Sequence, residues 1–135
     1  MVRLIDTSLW IDLTRSRSPL TLKTFVAPYV NDPDAHLAEP IAFELLRSAT
    51  DAEASILTAH FASMPTLPSP ADLWGRAAKL GQDCRKKGIT AAAIDLLISS
   101  VAIFHSAELV TFDIDFGLIA SVSTLQVQLL KRPTP

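Results

Sequence analysis

The chain has 135 residues, 49% of them hydrophobic and only 19% charged, enough apolar material for one globular core and too much for a disordered tail. Its formal net charge of −2 argues against a uniformly basic nucleic-acid binder. The single cysteine, Cys84, excludes an internal disulfide framework and a thiolate metal cluster. A reducing, cytoplasmic setting is therefore expected, and no basic lead into a long apolar run suggests a secretory leader.

In chain order, Val2, Leu4 and Ile5 predict a short buried strand that stops at Asp6. Two small hydroxyl residues, Thr7 and Ser8, and an amphipathic run, Leu9-Trp10-Ile11-Leu13, follow. Asp6 reads in two ways. It is placed to cap the helix that begins there. It also stands where a parallel sheet presents its carboxyl edge, the place at which open α/β folds bind ligands.

Thr14 to Pro19 is a polar, basic turn, and Leu22, Phe25, Val26 and Tyr29 have helical spacing that Pro28 should interrupt. Asn31-Asp32-Pro33-Asp34 is a turn cluster before a brief strand at His36–Ala38. Pro40 suits the first turn of a helix running to Ser48, with Glu44 at the margin of its apolar stripe. Thr50-Asp51-Ala52-Glu53 has the spacing of a capping box and opens a helix to about Met64. A two-residue strand, Thr66-Leu67, lies between prolines, and Ser69-Pro70-Ala71-Asp72 opens a helix ending in Arg85-Lys86-Lys87-Gly88.

Ile89 to Ala107 is the most apolar segment, but Asp95 lies inside it, so a buried helix is expected and not a membrane span. Leu97, Ile98, Val101 and Phe104 form its stripe, with Asp95 at its start. Glu108–Phe112 then repeats the opening design, a buried strand breaking into acids at Asp113 and Asp115, where Gly117 should let the chain change direction. Val127–Leu130 is a final strand, and residues 131–135 read as a loose tail of a single domain spanning 1–135. Strands alternating with helices call for a parallel α/β sheet covered on both faces.

Asp6, Glu44, Asp95 and Asp113 each sit beside apolar sequence at the end of an element, with Asp115 a fifth. Burying like charges together is costly unless a cation joins them. An all-oxygen set favours a hard ion, Mg²⁺ or Mn²⁺, and such clusters serve phosphodiester hydrolysis. Setting these five acids aside leaves nine against 12 Lys and Arg, so the remainder is positive by three. His36, His60 and His105 have no acidic or nucleophilic partner nearby in sequence and read as structural.

Four segments together resemble the PIN-domain ribonucleases, specifically VapC-type toxins of toxin–antitoxin pairs. They are Leu4-Ile5-Asp6-Thr7-Ser8, Glu44-Leu45-Leu46-Arg47, Asp95-Leu96-Leu97-Ile98-Ser99 and Leu109-Val110-Thr111-Phe112-Asp113-Ile114-Asp115-Phe116. Their order and spacing match over nearly the whole chain. The resemblance implies a three-layer α/β/α sandwich on a mostly parallel five-stranded sheet. It implies a metal site of Asp6, Glu44, Asp95 and Asp113, assisted by Asp115, with Ser8 and Thr111 supporting it by hydrogen bonds. It further implies an RNA substrate, a homodimer and an antitoxin whose C-terminal segment covers the site. Glu39-Pro40 stands where the family pattern leads one to expect a hydroxyl-rich entry to Glu44.

Two rival readings use the same acids differently. A catalytically silent RNA- or protein-binding module would hold a structural ion or none. A receiver-like phosphoacceptor would need an Asp pair at the first strand and a lysine near the acids, whereas only Asp6 ends that strand and Lys131 runs directly into Arg132-Pro133.

Overall fold

The computed structural model describes residues 1–134. In chain order the elements are β1 (Arg3–Ile5), α1 (Thr7–Thr14), α2 (Leu20–Val30), β2 (Ala35–Ala38), α3 (Glu39–Leu46), α4 (Asp51–Ala62) and β3 (Thr66–Leu67). They continue with α5 (Leu73–Lys86), α6 (Ala93–Phe104), β4 (Glu108–Thr111), α7 (Ile114–Ala120) and β5 (Gln126–Leu129). The five strands form one all-parallel sheet in the order β3-β2-β1-β4-β5.

That order explains the layers. Crossovers through α1 to α4 step from β1 toward β3, whereas those through α5, α6 and α7 step back across the sheet toward β5. Right-handed crossovers in opposite directions put their helices on opposite faces, which makes a three-layer sandwich. Leu4, Ile5, Leu109 and Val110, on the two central strands, are fully buried because both faces are covered. Each such side chain contributes roughly 1.5–3 kcal/mol of transfer free energy. The chain order reverses between β1 and β4, so a crevice opens at their carboxyl ends. Asp6 and Asp113 stand there.

Local chemistry sets the helix ends. Thr50 accepts from the Glu53 N–H while Glu53 accepts from the Thr50 N–H, so the capping box forms as read. At the end of α5 the Ile89 N–H reaches the Cys84 carbonyl and the Gly88 N–H the Arg85 carbonyl, with Gly88 at φ +74°. Helix α6 ends the same way, except that Ser106 takes the left-handed position at φ 52°. Replacing Gly88 by Ala should therefore cost about 1 kcal/mol, read as a lower denaturation midpoint with an unchanged m-value.

Three expectations are corrected. Pro28 lies inside α2, on its exposed side, where the ring clears neighbouring elements and the packing of Val26 and Val30 holds the helix together. Helix α5 starts at Leu73 and not at Pro70, and Asp72 makes no cap bond because its carboxylate pairs with Arg76 at 2.7 Å. Gly117 sits within α7, a helix nucleated by the Asp113 cap and fixed by the buried Phe116 and Ile119. In the segment read as a tail, Arg132 pairs with Asp12 at 2.9 Å and lies 4.4 Å over the Phe112 ring. Among the described residues no helix is long and apolar enough to cross a membrane.

Candidate active site

Asp6 is both a cap and a member of the acid cluster. Strand β1 delivers it to the carboxyl edge, and its Oδ2 accepts from the Ser8 N–H (3.3 Å), the Ser8 hydroxyl (2.8 Å) and the Thr111 hydroxyl (2.7 Å). All three donors converge on one oxygen. The residue is only 3% exposed. Burial raises its pKa, and the Thr111 and Ser8 hydrogen bonds oppose that rise by favouring the charged form.

Thr111 is the hinge between the two central strands. Its hydroxyl also accepts from the Asp113 N–H at 2.9 Å, so a single side chain links the carboxylate after β1 to the backbone after β4. Ser8 makes the matching link, its hydroxyl accepting from the Phe112 N–H at 3.2 Å. Asp113 caps α7 by accepting from the Asp115 N–H at 2.9 Å. The cap turns Asp115 back toward Asp113 after one residue.

Helices from both faces bring the other two acids. Glu44, near the end of α3, accepts a hydrogen bond from Thr7 across 37 residues of sequence at 2.5 Å. Thr7 thus gives Glu44 a hydroxyl partner from α1. Sequence reasoning gave Thr7 no role, and the only signal was its place beside Asp6. Asp95 stands in the first turn of α6.

Carboxylate oxygens of Asp95, Asp113 and Asp115 all lie within 4.8 Å of one another. Asp6 and Glu44 flank this trio closely enough for their charges to act on Asp95. The Asp95 pKa is pushed up to about 7, chiefly by burial and then by the negative charges of Asp113, Asp6, Glu44 and Asp115. None of the five carboxylates forms an ion pair among the described residues. Lys131, which a receiver-like site would need among the acids, makes no such pair either.

The donor set suits a hard divalent cation. Six-coordinate ions hold oxygens at about 2.0–2.6 Å, so their ligand oxygens span at most about 5 Å, which the trio matches. A bound cation would also balance a charge that no ion pair among the described residues offsets. The histidines take no part: His36 Nδ1 bonds the Asp34 carbonyl, His105 Nε2 the Pro68 carbonyl, and His60 packs edge-on against Trp10.

Comparison with known proteins agrees with this architecture. The PIN domain family profile matches residues 3–122. Ribonuclease VapC11 of Mycobacterium tuberculosis is 33% identical over 128 residues, covering 91% of this chain and 95% of that protein. Among solved structures, VapBC2 from Rickettsia felis bound to a promoter DNA fragment superposes with TM-score 0.76 at 18% identity, covering 97% of this chain and all of that one. VapBC-5 of Mycobacterium tuberculosis, described as a member of the VapBC family of toxin–antitoxin systems, superposes with TM-score 0.66 at 20% identity, covering 96% of this chain and 98% of that one. At such identities the structural matches establish the fold, while the 33% relative and the profile establish descent. The chain belongs to the PIN-domain family, among the VapC proteins.

Proposed function

We propose that this protein is an endoribonuclease, the toxin of a toxin–antitoxin pair, acting in the cytoplasm as a homodimer. In this reading Asp6, Glu44, Asp95 and Asp113 are the catalytic carboxylates and, with Asp115, the ligands of Mg²⁺ or Mn²⁺. The observation that carries it is the cluster of five acids at the crevice between β1 and β4, none of them in an ion pair among the described residues. A ribonuclease relative of nearly equal length supports RNA as the substrate, and the VapBC structural neighbours support an antitoxin partner.

When bound, the ion supplies charge stabilisation at the phosphate oxygens and a nucleophile at neutral pH. The chain's residues do the rest. Asp95, Asp113 and Asp115 would hold the ion, and the Asp113 cap fixes the relative placement of the last two. Ser8 and Thr111 hold Asp6 in one orientation, which preorganises the site before substrate arrives. Glu44, oriented by Thr7, adds negative charge opposite Asp95 and raises its proton affinity. An incoming phosphate meets these acids favourably only with the cation in place, so substrate binding and metal binding are coupled.

The test is a metal titration. Purified protein stripped with a chelator should not cleave single-stranded RNA, and Mg²⁺ or Mn²⁺ should restore cleavage. Saturating Mg²⁺ should also raise the melting temperature, since an ion held by the folded state alone at a hundred times its Kd adds about 2.7 kcal/mol. Full cleavage by the stripped protein, or a melt indifferent to Mg²⁺, would remove the metal from this scheme.

A further inference from the structure

Of the carboxylates proposed as catalytic, all but one accept a hydrogen bond from the chain. Asp6 accepts from Ser8 and Thr111, Glu44 from Thr7, and Asp113 from the Asp115 N–H. Asp95 accepts none among the described residues: burial and the other four acids act on it, and no donor does. It is the member of the set whose direction no hydrogen bond fixes.

Ser99, on the same helix, has the opposite deficit. It is fully buried, and its hydroxyl is the one buried side-chain polar group without a hydrogen-bond partner among the described residues. Neighbouring Ser100 shows the ordinary solution, donating back to the Leu96 carbonyl at 2.7 Å. Ser99 makes no such bond to the Asp95 carbonyl, and a buried hydroxyl left unpaired costs stability. The two residues stand four apart on α6, which puts their Cβ atoms about 5–6 Å apart on one face. Helical side chains lean toward the N-terminus, so Ser99 leans toward the turn that carries Asp95. A donor without an acceptor thus lies one turn from an acceptor without a donor.

We propose that Ser99 is a positioning residue for Asp95, its hydroxyl donating to one carboxylate oxygen and leaving the other to face the cation. A carboxylate accepts at both oxygens, so the two roles do not compete. The bond does for Asp95 what Ser8 and Thr111 do for Asp6, from within the helix that carries it. Hydrogen bonds to charged groups are among the stronger ones, so losing this one should weaken metal binding about tenfold or more. The inference rests on the metal-dependent reading given above.

Mn²⁺ binding to the full chain without RNA tests it, read by electron paramagnetic resonance of the free ion. Ser99→Ala should bind Mn²⁺ about tenfold more weakly than wild type. Its metal-free melting temperature should hold or rise, because the variant drops an unpaired hydroxyl and no bond. Ser99→Cys, which keeps the side chain's place with a weaker donor, should fall between the two. Ser100→Ala, the same chemical change one residue on, should bind Mn²⁺ as wild type does. In an Asp95→Asn background, Ser99→Ala should weaken binding no further, since the acceptor it serves has changed. Equal Mn²⁺ affinity in wild type, Ser99→Ala and Ser99→Cys overturns the inference and leaves the metal site standing. A loss as large in Ser100→Ala, or one that persists undiminished in the Asp95→Asn background, also overturns it, because the effect then belongs to α6 at large. Wild-type protein that binds no Mn²⁺ removes the metal reading itself, and this inference with it.

Discussion

Asp95→Asn should lower RNA cleavage by about a hundredfold to a thousandfold, the usual cost of deleting one charge-stabilising group, while leaving the metal-free fold as stable or more so. The substitution keeps shape and removes charge at the position where the other four acids press hardest. Because the folded pKa of about 7 lies above the ordinary 3.8, the folded state binds a proton that the unfolded chain releases. That contribution is fully present below about pH 4 and is lost as pH rises through about 7. Metal-free wild-type protein should therefore lose about 1–3 kcal/mol between pH 5 and pH 8 from this group. Asp95→Asn should flatten that loss and melt higher than wild type at pH 8. With Mg²⁺ the order should reverse if Asp95 serves as the ligand proposed above, because the variant has then given it up. Thermal melts at the two pH values, with and without Mg²⁺, read all four quantities. If Asp95 is instead a plain surface residue, the two metal-free proteins will melt alike at every pH and cleavage will persist.

The fold was legible where local chemistry and hydrophobic period agree. Thr50 and Glu53 formed the box their spacing announced, and Gly88 took the left-handed turn expected after a basic last turn. Strands ending in Asp6 and Asp113 identified a parallel sheet's carboxyl edge, because an apolar run that breaks into a carboxylate has few other places to stop. Helix α7 was not legible. Its seven residues include Gly117, and what holds it is the Asp113 cap together with burial of Phe116 and Ile119, neither of which shows as a period. Pro28 misled for a related reason: a proline on the exposed side of α2 sacrifices one hydrogen bond without opposing the packing of the buried side.

The site divides along the same line. That the acids gather could be read from their setting, but how they are held could not. The bonds from Thr7 to Glu44 and from Thr111 to Asp6 cross 37 and 105 residues of sequence, and only the sheet order brings their partners together. Sequence gave Asp115 an assisting place, whereas in the structure it stands with Asp95 and Asp113 in the tightest trio, because the cap at Asp113 bends the backbone by one helical step.

Trp10→Ala should be the costliest single change away from the acids, at about 3–5 kcal/mol. The side chain is fully buried on α1 and packs edge-on against His60 at 5.6 Å and Phe61 at 5.4 Å from α4. Its indole N–H donates to the Ile5 carbonyl at 3.2 Å, tying the helix back to the last residue of β1. That bond spans Asp6, which lies between β1 and α1. Trp10→Phe separates the two contributions. It keeps most of the volume and should cost about 1–3 kcal/mol, the penalty for a lost buried hydrogen bond plus a small void. Both variants should lower the denaturation midpoint with little change in m-value. Trp10→Phe should in addition loosen Asp6 and weaken Mg²⁺ binding, measured by calorimetry under conditions where it remains folded. A Trp10→Phe protein with full Mg²⁺ affinity would show that Ser8 and Thr111 alone fix Asp6, and that the indole serves only the core.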